Sequence, residues 1–269
     1  MTTISVIIPT WNRADFIEKA IRSALDQTLQ PLEVLVCDDG STDNTEQIVR
    51  SIDDKRIKWL PGDRGGRPAI PRNRGIRESR GKWIAFLDDD DVWLPEKLAT
   101  QLEQAYKQNC LSSCTNALCA TGTEEPVVYS LGWAGESLTF LDLLQGNRVI
   151  CSSAMIHRSV LNMAVGFPEA VEYKAIEDYA FWLRVATITN FAFVDEPLIL
   201  YMDSSQTSIR AGHKDPWWQK RKVLGNFLAW GCRRRIRFEF LKNGLRKYCA
   251  VSLIPLKSSV LDLLLKMKS

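Results

Sequence analysis

The chain has 269 residues, 45% hydrophobic and 25% charged, with a formal net charge of +3. Nine Trp, ten Phe and the aliphatic residues can offset chain entropy in a sizeable core, which excludes disorder as the main state. The longest apolar runs, Val6-Ile7-Ile8 and Leu263-Leu264-Leu265 among them, fall far short of the roughly 18–20 residues a membrane span needs.

Met1 leads directly into a strand-like run, with no signal-peptide pattern, and seven Cys at irregular spacing suit small buried hydrophobes. Both features predict a cytoplasmic protein. Ser5-Val6-Ile7-Ile8 reads as a strand closed by Pro9. Phe16, Ile17, Ala20, Ile21, Ala24 and Leu25 recur on one helical face and predict a helix over 14–26. Val34 to Cys37 is a buried strand running into Asp38-Asp39-Gly40, and Asp43 with Glu46 resembles a capping box. Further strands fall at 57–60 and 83–87, separated by a helix near 70–79, and Pro95 opens another helix. This alternation predicts an α/β fold with a parallel sheet covered on both faces. Beyond residue 120 the pattern is less regular. Strands are expected at 111–117, 126–130, 153–157, 191–194 and 198–201, and helices near 138–145, 159–164 and 178–188.

Ligands of open parallel sheets bind beyond the carboxyl ends of the strands. Three polar clusters fall there: Thr10 after the first strand, Asp38-Asp39 after the second, and Asp88 to Asp91 after the fourth. Four consecutive carboxylates repel one another unless a cation is present. His157 and His213 are the only histidines, so oxygen ligands and Mg²⁺ or Mn²⁺ are favoured over zinc.

These segments, SVIIPTWNR, VCDDGSTDNT, PRNRGI with GKWIAFLDDDD and LPEKL, and Glu177-Asp178, resemble the successive motifs of family 2 glycosyltransferases. These are inverting nucleotide-sugar enzymes of GT-A fold, and the likeness runs through about residues 1–201. It implies a nucleotide-sugar donor, most often a uridine diphosphate sugar, a divalent metal, and inversion at the anomeric carbon. Pro9, Thr10 and Trp11 are implied to line the nucleoside pocket. Asp39, with Asp38 as its neighbour, is implied to accept from the base. The family's DxD fits Asp88 and Asp90, with Asp90 holding the metal and Asp89 nearer the ribose or sugar. Because a fourth Asp follows, a register one position later, with Asp91 as ligand, stays open. Asn73 matches a position that helps to hold the donor end of the site. Arg64, Arg67 and Arg72 lie in a Gly/Pro-rich loop suited to phosphate or base, and Arg67 is counted with the substrate-binding candidates. Asp178 matches the family's catalytic base, with helix capping as its structural alternative, and Glu177 beside it joins the substrate-binding candidates.

Gln219-Lys220-Arg221-Lys222 lacks the Trp of a processive QxxRW motif, so transfer of one sugar is expected. Tyr201-Met202-Asp203-Ser204 lacks the Arg and His of many relatives, and Gln206-Thr207-Ser208 could replace them as a polar lid. His157 is expected to be a satisfied strand histidine. Two rivals differ in class: a sugar-phosphate nucleotidyltransferase, disfavoured because Pro9-Thr10-Trp11-Asn12 stands where its Gly-rich loop belongs, and a catalytically degenerate, membrane-recruited binding module, disfavoured by the presence of Asp178.

Residues 210–269 carry fifteen Lys and Arg against Asp215, Glu239 and Asp262, a net +12, while the remainder stands at −9. The division expected is a catalytic domain over 1–209, with a nucleotide-sugar half (about 1–120) and an acceptor half (about 121–209), then a basic helical tail. Trp217, Trp218, Val223, Leu224, Phe227, Leu228 and Trp230 interleave with basic residues in that tail. An anionic membrane surface suits this pattern better than nucleic acid, which places the protein at the inner face of the cell membrane with a saccharide or lipid-linked saccharide acceptor. Packing of the same groups on the body, or across a homodimer, is the alternative.

Overall fold

The computed structural model describes residues 3–120, 127–129, 133, 135–202 and 216–252. The first half follows the expected alternation: β1 (Ile4–Thr10), α1 (Ile17–Leu25), β2 (Glu33–Asp38), α2 (Thr45–Ser51), β3 (Ile57–Leu60), α3 (Ala69–Glu78) and β4 (Trp83–Phe86). A two-residue β5 (Val92–Trp93), α4 (Lys97–Lys107), β6 (Ser112–Ala120), β7 (Val127–Tyr129) and β8 (Ser137–Leu138) come next. The remainder is α5 (Phe140–Gln145), β9 (Met155–His157), α6 (Arg158–Ala164), α7 (Glu177–Ala186), β10 (Phe191–Met202), α8 (Pro216–Arg234) and α9 (Phe238–Ser252). Gln206-Thr207-Ser208 and the segment Val260 to Met267 lie outside the described residues.

One sheet runs through the molecule in the order β3-β2-β1-β4-β9-β6-β10-β5, with β7 beside β6 and β8 beside β10. Strands β3, β2, β1 and β4 are parallel, whereas β9 is antiparallel to both of its neighbours, β4 and β6. The two strands expected at 191–194 and 198–201 are one, β10, whose pairing with β6 slips around Pro197. Proline has no N–H to give the ladder, so the register breaks there.

Side-chain alternation divides the core into two layers. Val6, Ile8, Val34, Val36 and Ala85 face α1 and α4, while Ile7, Leu35, Cys37, Ile84 and Phe86 face the layer built by α5, α6, α7 and α8. Helix α3 approaches β1 and β2 closely at Gly75, where an added Cβ would stand 2.7 Å from Ile7 and 2.8 Å from Cys37 Sγ. Asp43 does not close a capping box with Glu46. Its carboxylate accepts instead from Thr45 N and Ala14 N, and Glu46 pairs with Arg50 one turn along α2. His157 accepts from Ser159 N at the start of α6, a satisfied role.

Every residue of α7 is buried, the mark of a helix enclosed on all sides. Its outer cover is α8, whose Val223, Leu224 and Phe227 are fully buried, while Trp217 and Trp218 stay 64% and 37% exposed. The apolar groups of the basic segment are thus divided: those of the α8 middle pack on the body, and the two Trp at its start face outward. Among the described residues no helix is long and apolar enough to cross a membrane.

Candidate active site

A cleft of about 460 Å³ opens at the carboxyl ends of β1, β2 and β4. Pro9, Thr10, Trp11, Asp39, Arg67, Asp88, Asp89, Asp90, Glu177 and Asp178 all line it, which brings together nearly all the residues singled out from the sequence. Asp38 does not. Its carboxylate turns back to accept from Gly40 N and Ser41 N, forming the turn that aims Asp39 into the cleft. Gly40 has φ +79°, and a Cβ there would meet Arg64 N at 2.8 Å, so this turn needs glycine twice over. Asp39 accepts from Gly65 N at 2.9 Å, Gly66 N at 2.8 Å and the Arg64 guanidinium. That guanidinium stacks 3.6 Å from the centre of the Trp11 ring, giving the cleft an aromatic wall suited to a planar base.

The acidic loop sorts its four carboxylates. Asp88 pairs with Arg72 at 2.6 Å, and Arg13 lies 3.4 Å from both Asp89 and Asp90. Burial, followed by the charge of Asp90, pushes the Asp89 carboxyl up to about 7, with Arg13 opposing. Asp90 is raised too, by burial and then by Asp88. Asp91 points the other way, 1% exposed, accepting from the Ser152 hydroxyl and from Met202 N at 3.0 Å. It braces the loop from beneath and does not line the cleft. Ser152 also accepts from Asp88 N at 3.0 Å, fixing both ends of the acidic loop.

From its first turn, where the helix dipole favours carboxylates, α7 presents Glu177 and Asp178 to the same cleft. Arg72 spans the cleft floor, donating to Glu177 at 2.8 Å as well as to Asp88. Burial and the adjacent Asp178 raise the Glu177 carboxyl despite that contact. Asp178 accepts from Tyr179 N at 2.7 Å through one oxygen and from Asn147 Nδ2 at 3.1 Å through the other. The residue at the capping position of α7 is Ile176, so Asp178 is not a simple cap. Just before it Ala175 lines the cleft at φ +68°, a left-handed conformation costing a non-glycine residue roughly 1–2 kcal/mol.

Asn73 is a correction. It does not line the cleft; its carboxamide pairs with both Phe167 N and Phe167 O at 2.9 Å and reaches Glu169 at 2.7 Å. Those contacts saturate it, so any influence on the donor passes through the 166–169 turn. Asn147, Arg13 and Lys174 were not picked out from the sequence: Asn147 and Lys174 sit in loops without periodic or motif signal, and Arg13, though it ends the SVIIPTWNR motif, meets Asp89 and Asp90 only through a contact more than 70 positions away. Cys151, read as a packing residue, is buried and also lines the cleft, where burial holds its thiol well above the usual range.

The donor set fits a divalent cation only in part. Asp88, Asp89 and Asp90 crowd one rim, and burial with neighbouring negative charge raises the Asp89 and Asp90 carboxyls, as oxygens awaiting a counter-charge do. Yet among the described residues no three His, Cys, Asp or Glu side chains are placed to ligate together. Such a rim suits Mg²⁺ or Mn²⁺ held by one or two carboxylates, with phosphate and water completing the shell.

Residues 5–162 match the model of Glycosyl transferase family 2, and the chain belongs to that family. One relative is the Escherichia coli UDP-Glc:alpha-D-GlcNAc-diphosphoundecaprenol beta-1,3-glucosyltransferase WfgD, 30% identical over 226 residues, covering 84% of this chain and 86% of the relative. A second, the putative teichuronic acid biosynthesis glycosyltransferase TuaG of Bacillus subtilis, is 32% identical over 68% of this chain and 71% of its own. Among solved structures, S. aureus TarS 1-349 in complex with UDP-GlcNAc superposes with a TM-score of 0.73 at 19% identity, over 93% of this chain and 73% of that one. The mannosyltransferase PcManGT of Pyrobaculum calidifontis, in complex with GDP-Man and Mn2+, gives 0.59 at 17% identity, over 97% of this chain and 78% of that one. The fold is that of a GT-A transferase.

Proposed function

We propose that this enzyme transfers a single sugar, with inversion, from a UDP-sugar to a hydroxyl of a lipid-linked saccharide in surface polysaccharide synthesis. The observation that carries this reading is Asp178. Its carboxylate lines the same cleft as Asp39 and Asp88–Asp90 and is held on both oxygens. In this reading Trp11 and Asp39 receive the base, and Arg67 with the acidic rim receives the diphosphate. Asp88 and Asp90 would hold Mg²⁺ or Mn²⁺, which when bound stabilises the negative charge of the departing diphosphate. Asp178 takes the acceptor proton as the acceptor oxygen bonds to the anomeric carbon and the bond to diphosphate breaks. The acceptor class follows the relative whose acceptor is a sugar on diphosphoundecaprenol. Calorimetry of UDP with Mn²⁺, with and without chelator, tests the donor half: metal-dependent UDP binding is expected. Metal-independent binding, or a clear preference for GDP or dTDP, would show the pocket reading to be wrong.

The reading extends to the membrane surface. Residues 216–252 carry ten Lys and Arg against Glu239 alone, and among the described residues none of the ten lies in a salt bridge. With exposed Trp217 and Trp218 on the same hairpin, this charge suits an anionic bilayer, at about 1 kcal/mol for each basic residue near it. Vesicles containing phosphatidylglycerol should sediment the native chain at low salt. The triple variant Arg233→Glu, Arg234→Glu, Arg235→Glu should remain mostly in the supernatant; equal partitioning of the two proteins rules this surface out.

A further inference from the structure

We propose that Lys97, which does not line the cleft, is a positioning residue that sets the acidic loop for its cation. The proposal rests on the placing of a divalent cation at Asp88 and Asp90 given above, and adds a buried side chain that this reading leaves unused. Lys97 is the first residue of α4 and has no exposed surface. Both conditions disfavour a cation, the first through the helix dipole and the second through loss of hydration. Burial accordingly holds its ammonium well below the usual range. None of the ion pairs among the described residues includes it. A methionine would fill a similar volume without burying a charge, so packing alone does not account for lysine here.

Its contacts do. Lys97 Nζ donates to Gln101 Oε1 at 2.6 Å and lies 3.9 Å from the centre of the Trp93 ring. Each of those partners has its other polar end on the turn Cys151–Ser153. Trp93 Nε1 donates to Ser152 O at 2.8 Å, and Gln101 Nε2 donates to Ser153 O at 2.8 Å and to Ser113 Oγ at 3.2 Å. With its oxygen fixed on Lys97, the Gln101 carboxamide presents only its NH2 group to Ser153. The turn so gripped carries Ser152, whose hydroxyl accepts from Asp88 N and donates to Asp91. A continuous path therefore runs from Lys97 through Trp93 and Gln101 to two carbonyls, and from Ser152 to both ends of the acidic loop. Lys97, Trp93, Gln101 and Ser152 are each 2% exposed or less, so water cannot stand in for a lost link. Ligand oxygens serve a cation well only when held to within roughly 0.5 Å, which is what this buried support supplies.

The test uses the full chain, with UDP and Mn²⁺ as probes and calorimetry as the readout. In Lys97→Met the Mn²⁺ concentration for half-maximal UDP binding should rise about 10-fold or more, as it does when the support of metal ligands is removed. The thermal midpoint should stay near native, and UDP affinity should recover at saturating Mn²⁺, because Trp11 and Asp39 are untouched. Gln101→Glu gives Lys97 a carboxylate but turns an oxygen on Ser153 O. It should raise the Mn²⁺ requirement in the same way although it adds an ion pair, and it decides the matter if Lys97→Met fails to fold. Trp93→Phe combined with Lys97→Met should lose less than the sum of the single losses, as residues acting through one turn do. A lysine that only supports the fold predicts a lower midpoint with an unchanged Mn²⁺ requirement. That result, an unchanged requirement in Gln101→Glu, or strict additivity with Trp93→Phe overturns the proposal. Native UDP binding that ignores Mn²⁺ overturns the cation reading and this proposal together. A native Mn²⁺ dependence that neither Lys97→Met nor Gln101→Glu shifts overturns this proposal alone.

Discussion

Asp178→Asn is expected to lower turnover by about 10²–10⁴-fold, the usual contribution of a positioned general base, while UDP affinity and the thermal midpoint stay near native values. The structure explains why fold and chemistry should separate here. Asparagine keeps an oxygen for Tyr179 N, while Asn147 restores the second contact only by turning its carboxamide over and giving up the bond its Oδ1 accepts from Val149 N at 3.2 Å, a single long contact. What is lost is the carboxylate that takes the proton. Single-turnover transfer rates, with calorimetry on the same preparation, measure both quantities. Native turnover in the variant would move the base elsewhere, with Glu177 the next candidate, and a collapse of stability would return Asp178 to a structural role.

Truncation after Ile209 should abolish cooperative folding. Val223, Leu224 and Phe227 have no exposed surface, and burying each side chain is worth about 1.5–3 kcal/mol, roughly 5–9 kcal/mol together. That rivals the whole stability of a typical domain, about 5–15 kcal/mol. Removal of α8 also uncovers α7, whose Arg184 donates to Asn226 at 2.6 Å and would be left half-buried without that partner. Thermal melts by circular dichroism should show a broad, non-cooperative loss of signal for the shortened chain. A sharp transition near the native midpoint would show that the first 209 residues stand alone. In contrast, Trp217→Ala should change stability little, because that side chain is 64% exposed.

The strand-end part of the cleft was legible from the sequence because its signals are local. Asp39 and the Asp88–Asp90 group follow directly from parallel strands, and strand ends are where such sheets place ligands. The Asp178 candidate came from resemblance, not from periodicity, since α7 is buried on every side and shows no stripe. What the chain order hid was long-range. Asn147 reaches Asp178 across 31 positions, and Ser152 ties together two ends of a loop more than 60 positions away. Nothing in the sequence divides the apolar groups of α8 into those that pack and those that face outward; that depends on which face α7 needs covered. Asn73 stood in a motif, yet its role in a backbone clamp depends on Phe167, which no local pattern connects to it.

The place of β9 in the sheet bears on how such enzymes can be recombined. A strand from the later half lies between β4 and β6 of the earlier half, and β10 runs alongside β6 before closing on β5. The halves before and after residue 120 are therefore woven together, not joined end to end. Exchanging the later half with that of a relative would cut across several hydrogen-bonded seams at once. It would also separate Ser152 from the loop it anchors. Changes to the cleft lining are more readily made at Lys174 and Ala175, which lie in a turn outside every strand pairing.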